Sequence, residues 1–285
     1  MLKTYYMLTK PGIILGNVIT TAGGFALASH GFINWVLFLE TMLGLALVIA
    51  SAGVFNSYFD RKIDAKMERT KNRPFARNVV NSKIALLFGT ILGFLGLGLL
   101  FYFTNILTVL VALFGLLVYL VLYGTMKYKS LYGTIIGSIA GAVPPVVGYC
   151  AVSNQLDFAA LILFMIMVLW QMPHFFSIAV YRINDYAAAS IPVLPLTKGI
   201  ETTKWQSLLY ILAFMFTSLM LTFFGYTGII YAATVIFLSL GWLVLLAKGF
   251  KMKNDQVWAK QMFVYSLIVI MGLYVVIPFD LLQTN

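Results

Sequence analysis

Apolar residues run along this chain in nine long blocks, at about 11–30, 35–57, 84–103, 106–125, 132–152, 158–180, 204–223, 227–247 and 260–279. Each is close to the roughly 20 residues that a helix needs to cross the hydrocarbon of a bilayer. Ten-residue stretches of alternating apolar and polar residues, the mark of a membrane β-barrel, do not occur. The pattern predicts an all-α, polytopic membrane protein of nine transmembrane helices, forming one domain over residues 1–285. The connections on one side are a few residues each, such as Thr104–Asn105. On the other side two are long, about 58–83 and 181–203, and lie four spans apart. That spacing suggests two four-helix halves, each contributing one long loop, plus a ninth helix.

Composition agrees with lipid as the solvent. Of 285 residues 61% are hydrophobic and 10% charged, against roughly 45–50% and about 25% in soluble domains. A soluble enzyme is excluded. The net charge is +10, from 19 Lys and Arg against 9 Asp and Glu, with no soluble domain on which a nucleic-acid surface would form. All 19 basic residues fall on the side of the long loops, eight of them between Arg61 and Lys83. The two faces carry +13 and −3, the acids of the second being Glu40, Asp157 and Asp280. The excess of Lys and Arg in cytoplasmic loops then puts the long loops and the N-terminus in the cytoplasm and the C-terminus outside. Met1–Lys10 is polar and aromatic, so no cleaved signal peptide is expected. The single Cys150 admits no intrachain disulfide.

The densest polar signal follows the second block. Asn56, Asp60, Asp64 and Glu68 recur every four residues, which on a helix forms a drifting stripe with about 6 Å of rise between members. Such hard oxygen donors suit Mg²⁺ held jointly with substrate phosphates, and Lys71, Arg73 and Arg77 just beyond offer phosphate clamps. A solvated helix end with i,i+4 ion pairs gives the same spacing without function. Here the stripe starts from an Asn inside the apolar block, where polar groups are costly and usually functional.

The second long loop begins Trp170-Gln171-Met172-Pro173-His174-Phe175-Phe176 and continues through Tyr181-Arg182-Ile183-Asn184-Asp185-Tyr186. On one continuous helix, His174, Tyr181 and Asp185 share a face pointing to the cytoplasmic mouth. Pro173 removes one intrahelical hydrogen bond nearby. With only His30 besides His174, a bis-histidine electron-transfer haem site is not available. Gly133, Gly137 and Gly141 recur at four-residue spacing before Pro144-Pro145 and read as tight helix packing.

These residues together resemble the haem-farnesylating branch of the UbiA-type intramembrane prenyltransferases. The resemblance is carried by Asn56 through Arg73-Pro74, Thr9-Lys10-Pro11-Gly12, Gly141-Ala-Val-Pro144-Pro145, Trp170-Gln-Met-Pro173-His174, and Asp185-Tyr186 with Ile191-Pro-Val-Leu-Pro195. It implies nine helices around a central chamber that opens to the cytoplasm and is capped by the two long loops. Asn56, Asp60 and Asp64 then serve as catalytic residues and hold the divalent cation Mg²⁺. Arg69, Lys71, Arg73, Arg77 and Asp185 bind the diphosphate. Relatives acting on aromatic quinone precursors usually carry a second paired-Asp motif; Asp185 matches its first acid and Ala189 stands in place of the second.

The activity so implied is transfer of the farnesyl group of farnesyl diphosphate to a vinyl group of haem B, with water addition, giving haem O. Haem B is then a substrate, with Trp170, His174, Tyr181 and Arg182 as its expected contacts. Arg182 and Lys198 are candidate partners for the propionates. Farnesyl diphosphate, haem B and the lipid bilayer are the expected partners, nucleic acid is not, and association with haem A synthase or a terminal oxidase assembly is a further expectation. The location implied is a bacterial plasma (inner) membrane. Prenylation of a quinone precursor, or a secondary transporter, remain the alternatives. A transporter would place its acids at mid-membrane, whereas this stripe lies at the mouth.

Overall fold

The computed structural model describes residues 2–281, and among them nine helices are long and apolar enough to cross a membrane. They are α1 (Pro11–Ser29), α2 (Trp35–Phe59), α3 (Ser82–Phe103), α4 (Ile106–Met126), α5 (Gly133–Ser153), α6 (Phe158–Tyr181), α7 (Ile200–Phe223), α8 (Ile229–Gly249) and α9 (Asp255–Phe279). All nine apolar blocks are helical, and the described residues contain no strand. The C-terminal residue, expected outside the cell, lies beyond the described residues.

Sequence explains most of the ends. Asn34, Asn81, Asn105, Asp157 and Asn254 each accept a hydrogen bond from the backbone of the first turn of α2, α3, α4, α6 and α9, satisfying amides that have no helical partner. Asp280 does the same from a distance, its Oδ2 accepting the Tyr231 amide of α8 at 2.6 Å. The helices α7 and α9 begin four and five residues earlier than their apolar blocks. The Lys204 ammonium is buried, donating to the Gly249 carbonyl (2.7 Å) and to Asp255 (2.5 Å), so the polar first turns of α7 and α9 are tied together.

Each helix packs on its neighbours in sequence, and α9 closes back on α1. Contacts are close where small residues allow them. A Cβ on Gly24 would sit 2.0 Å from the Pro145 carbonyl oxygen, and one on Gly148 2.0 Å from that of Thr21, so α1 and α5 cross backbone to backbone. Gly133, Gly137 and Gly141 press on Lys127, Tyr123 and Gln171 respectively, the tight packing that their spacing predicts.

Three irregularities shape the interior. The helix of α5 is interrupted at Ala142, just before Pro144-Pro145. Toward its C-terminal end α4 widens into a π-helix over Val118–Tyr123, a form that recurs at functional sites. A short helix, Leu2–Leu8, buries Leu8 against Val54, Phe75 and Ala85. Lys10 then takes a left-handed conformation (φ 56°) to turn the chain into α1.

Candidate active site

The bundle encloses a cavity of about 570 Å³, walled by α1, α2, α4, α5, α6 and α9. Among the described residues α3, α7 and α8 contribute nothing to its lining. The wall is largely apolar, and small residues such as Gly16, Ala52, Gly115 and Ala140 hold it open. Its polar side chains are mostly satisfied within the wall. Gln171 donates to the carbonyls of Ser138 and Met167, Asn17 to Ile13, and Thr20 to Asn17. At the end nearest the long loops the lining changes to Thr9, Lys10, Arg69, Tyr119 and Tyr123.

Oxygen donors and cations are concentrated beside that end, where Lys10 lies among Asp60, Asp64, Arg73 and Lys127. Asn56, Asp60 and Asp64 lie where α2 gives way to the short helix Arg61–Asp64. Asn56 Nδ2 donates to Asp60 Oδ2 at 2.9 Å. Lys127 donates to Asn56 Oδ1 at 2.7 Å and also to the Asp60 carboxylate, which accepts a third hydrogen bond from the Tyr128 hydroxyl. Asp64 is buried, and Arg73 Nη1 lies 2.9 Å from both of its oxygens. Thr70 Oγ1 donates to the Asp64 carbonyl at 3.0 Å, folding the loop back so that Arg73 reaches the acid.

Electrostatics follow from burial. Burial pushes Lys10 down from 10.5 to about 8, with Asp60 and Asp64 pulling the other way. Lys127 is likewise lowered by burial and partly restored by Asp60. The Tyr128 hydroxyl is held far above its ordinary range by burial and by the adjacent Asp60 carboxylate. The mouth is a place where cations are costly to hold and an incoming anion is welcome.

The stripe stops at Asp64. Beyond Ala65 the chain runs in turns, and Glu68 is exposed, paired with Lys71 at 2.6 Å. Arg69 turns into the cavity lining, whereas Lys71 and Arg77 are exposed on the outer surface of the loop.

The face expected to join His174, Tyr181 and Asp185 is also broken. Pro173 is accommodated inside a continuous α6, but that helix ends at Tyr181 and a new one, Ile183–Ala188, leaves in another direction. Asp185 therefore meets the first long loop, its Oδ1 accepting the Glu68 amide at 2.9 Å and tying the two loops together. Tyr181 packs under the Arg182 guanidinium, 4.3 Å from its ring centroid. Trp170 and His174 stay on the cavity wall, their rings stacked at 4.7 Å and 24°.

Sequence reasoning missed Lys127, Tyr128, Tyr119 and Tyr123. Lys10 had been noted only within a motif. The aromatic flanks of Lys127 were the one local signal. Its bond to Asp60 spans 67 residues and leaves no periodic trace.

A polar, cation-rich mouth over an apolar chamber in a nine-helix bundle is the architecture of an intramembrane prenyltransferase. The profile of the UbiA prenyltransferase family matches residues 17–268, and the chain belongs to that family. It is 54% identical over 283 residues to the protoheme IX farnesyltransferase of Protochlamydia amoebophila (strain UWE25), covering 99% of this chain and 100% of the relative. It is 50% identical over 281 residues to the enzyme of that name from Yersinia pseudotuberculosis (serotype O:1b, strain IP 31758), covering 98% and 95%. Solved structures share the fold. A digeranylgeranylglyceryl phosphate synthase superposes with a TM-score of 0.80 at 20% identity, covering 98% of this chain and 97% of that one. A UbiA homologue from Archaeoglobus fulgidus bound to GPP and Mg²⁺ gives 0.70 at 15% identity, covering 96% and 99%.

Proposed function

We propose that this chain transfers the farnesyl group of farnesyl diphosphate to a vinyl group of haem B, adding water to give haem O and diphosphate. The observation that carries the reading is the junction of two environments within one cavity. Lys10 and Arg69 line the end of the cavity nearest the long loops, Asn56, Asp60, Asp64, Arg73 and Lys127 cluster beside Lys10, and the rest of the cavity is an apolar chamber walled by six helices. The near-full-length identity to named protoheme IX farnesyltransferases supports the choice of substrates. Ala189, buried where a second acid of the later loop would stand, favours haem over an aromatic quinone precursor.

The donor set suits Mg²⁺. Two carboxylates and a carboxamide are hard ligands, and among the described residues no group of three His, Cys, Asp or Glu is placed to hold an ion. Asp60 and Asp64 are paired with Lys127 and Arg73, and a cation joining them would bring waters and share its shell with substrate phosphates. Asn56, Asp60 and Asp64 would hold it, and it would add neutralising charge to the leaving diphosphate.

The chain's own groups do the rest. Lys10, Arg69, Arg73 and Lys127 stabilise charge as the allylic C1–O bond ionises, and cations fixed in a water-poor site are worth more than in water. Lys71, Arg77 and Asp185 lie farther out, so their contribution to diphosphate binding is capture and loop closure. The farnesyl chain and the porphyrin occupy the apolar chamber, with Trp170 and His174 against the ring. Tyr181 and Arg182 lie at its cytoplasmic rim, with Arg182 and Lys198 available to the propionates. The apolar wall protects the farnesyl cation from water until its C1 has bonded to the vinyl carbon. The positive charge then rests beside the porphyrin, where one water adds and loses a proton.

In this reading the chain sits in a bacterial inner membrane, long loops and N-terminus in the cytoplasm and C-terminus outside, and hands its product to haem A synthase or an oxidase assembly. Membranes containing the chain are incubated with haem B, farnesyl diphosphate and Mg²⁺ and analysed by mass spectrometry. Haem O forms only when all three are present; absence of haem O from active, folded protein contradicts the reading.

A further inference from the structure

His174 is the one histidine on the chamber wall, and its hydrogen bonds fix which nitrogen carries the proton. Ser266 Oγ on α9 donates its single proton to the Phe263 carbonyl at 2.6 Å. The same oxygen lies 2.7 Å from His174 Nδ1. With the hydroxyl proton already committed, that second contact exists only if Nδ1–H donates to Ser266. In the neutral ring Nε2 is then the unprotonated nitrogen, with a lone pair.

The orientation of the ring is fixed as firmly as its tautomer. Trp170 stacks on its face, and the Trp170 indole Nε1–H donates to the Ser266 carbonyl at 2.7 Å. The Phe263 ring lies 5.2 Å from the imidazole on another side. The residue is 9% exposed, and the exposure is to the cavity. Among the described residues Nε2 has no hydrogen-bond partner, yet it is not sealed off as an orphaned buried atom. It opens on the chamber. Elsewhere in the wall Asn17, Thr20 and Gln171 spend their hydrogens on backbone carbonyls.

A neutral imidazole whose Nδ1–H is held by a protein acceptor and whose Nε2 faces open space is the arrangement of a metal-ligating histidine. The outer hydrogen bond sets the tautomer and aims the lone pair. The ligand that brings a metal into an apolar chamber of this size is a metalloporphyrin. We infer that His174 Nε2 is an axial ligand to the iron of the haem substrate, with Ser266 as its positioning residue. The inference rests on the reading of the chamber as the haem site and adds how haem is held there. One iron–nitrogen bond on α6, with Trp170 beside it, fixes the height of the porphyrin below the mouth. Its vinyl edge is then free to approach the farnesyl C1.

The test uses full-length protein purified in detergent and titrated with ferric and ferrous haem B, read by absorbance and electron paramagnetic resonance. Wild type shows a histidine-ligated spectrum. His174→Ala loses that signature and binds haem at least roughly 10-fold more weakly, and Ser266→Ala keeps the signature with affinity lowered by roughly 10-fold. His174→Gly regains the wild-type spectrum when imidazole is added, which separates ligation from a packing role. Identical Soret positions and affinities in wild type and His174→Ala overturn the inference, as does failure of imidazole to restore the spectrum of folded His174→Gly. Haem O formation by wild type is measured in parallel. If it occurs while the spectra are insensitive to His174, ligation alone fails; if no haem O forms, the functional reading fails.

Discussion

Asp60→Asn should separate the catalytic role of the mouth from its structural one. In the wild type the Asp60 carboxylate meets the Lys127 ammonium, the Tyr128 hydroxyl and the Asn56 carboxamide, and the Lys127 and Asp60 side chains are only 10% and 14% exposed. Removing the negative charge leaves a buried cation with only neutral oxygens, Asn56 Oδ1 and the introduced carboxamide, as partners. Losing one partner of a buried pair costs about 3–5 kcal/mol. Because burial already lowers the Lys127 pKa and Asp60 raises it, the variant can limit the loss by releasing the proton. The lower end, about 3 kcal/mol, is expected. Activity falls for a different reason, loss of an anionic oxygen for the cation and diphosphate, by about 10²–10³-fold. The double variant Asp60→Asn/Lys127→Met removes the stranded charge and should recover most of the stability and none of the turnover. Thermal unfolding in detergent and haem O formation are measured on all three proteins. Near-normal Mg²⁺-dependent rates in Asp60→Asn, or recovery of activity together with stability in the double variant, would refute the reasoning.

Other expectations follow from the same contacts. Lys10, lowered to about 8 by burial, is charged below that pH and neutral above it. Farnesyl diphosphate affinity should fall as pH rises through 8, and Lys10→Arg should flatten that profile in a binding titration. The unfolded chain keeps this proton up to 10.5, so Lys10 makes the fold more stable as pH rises from 8 to 10.5; Lys10→Met removes that slope. Gly148→Ala puts a Cβ 2.0 Å from the Thr21 carbonyl oxygen, and a backbone atom cannot move aside as a side chain would. It should cost about 1–3 kcal/mol, seen as a lower unfolding temperature. For orientation, Gln155→Cys in a Cys150→Ala background should label with an impermeant maleimide in intact spheroplasts, and Lys71→Cys only after lysis; the opposite pattern reverses the topology.

The nine spans were legible because a helix surrounded by lipid must be apolar over its whole length, whatever it packs against. Their boundaries slipped most where polar residues were drawn inward, as with Lys204 and Asp255 at the starts of α7 and α9. The four-residue spacing did bring Asn56 to Asp60, and the backbone continues through Asp60 into the short helix that carries Asp64. Past Ala65 the period lost its meaning, because the loop bends to bring Arg73 to Asp64. The face shared by His174, Tyr181 and Asp185 failed similarly, at the helix break after Tyr181. Lys127 and Tyr128, in the turn after α4, and Ser266 on α9 reach their partners from elsewhere in the chain, and no local pattern announces a partner 67 to 92 residues away.

The central claim is that one cavity couples loss of diphosphate at its mouth to prenylation of haem in its chamber. The most direct measurement follows diphosphate release and haem O formation together, from purified protein supplied with farnesyl diphosphate, haem B and Mg²⁺. The account predicts equal amounts of the two products, and neither when haem B is withheld. Diphosphate released without haem B, or released with no haem O formed, would contradict it.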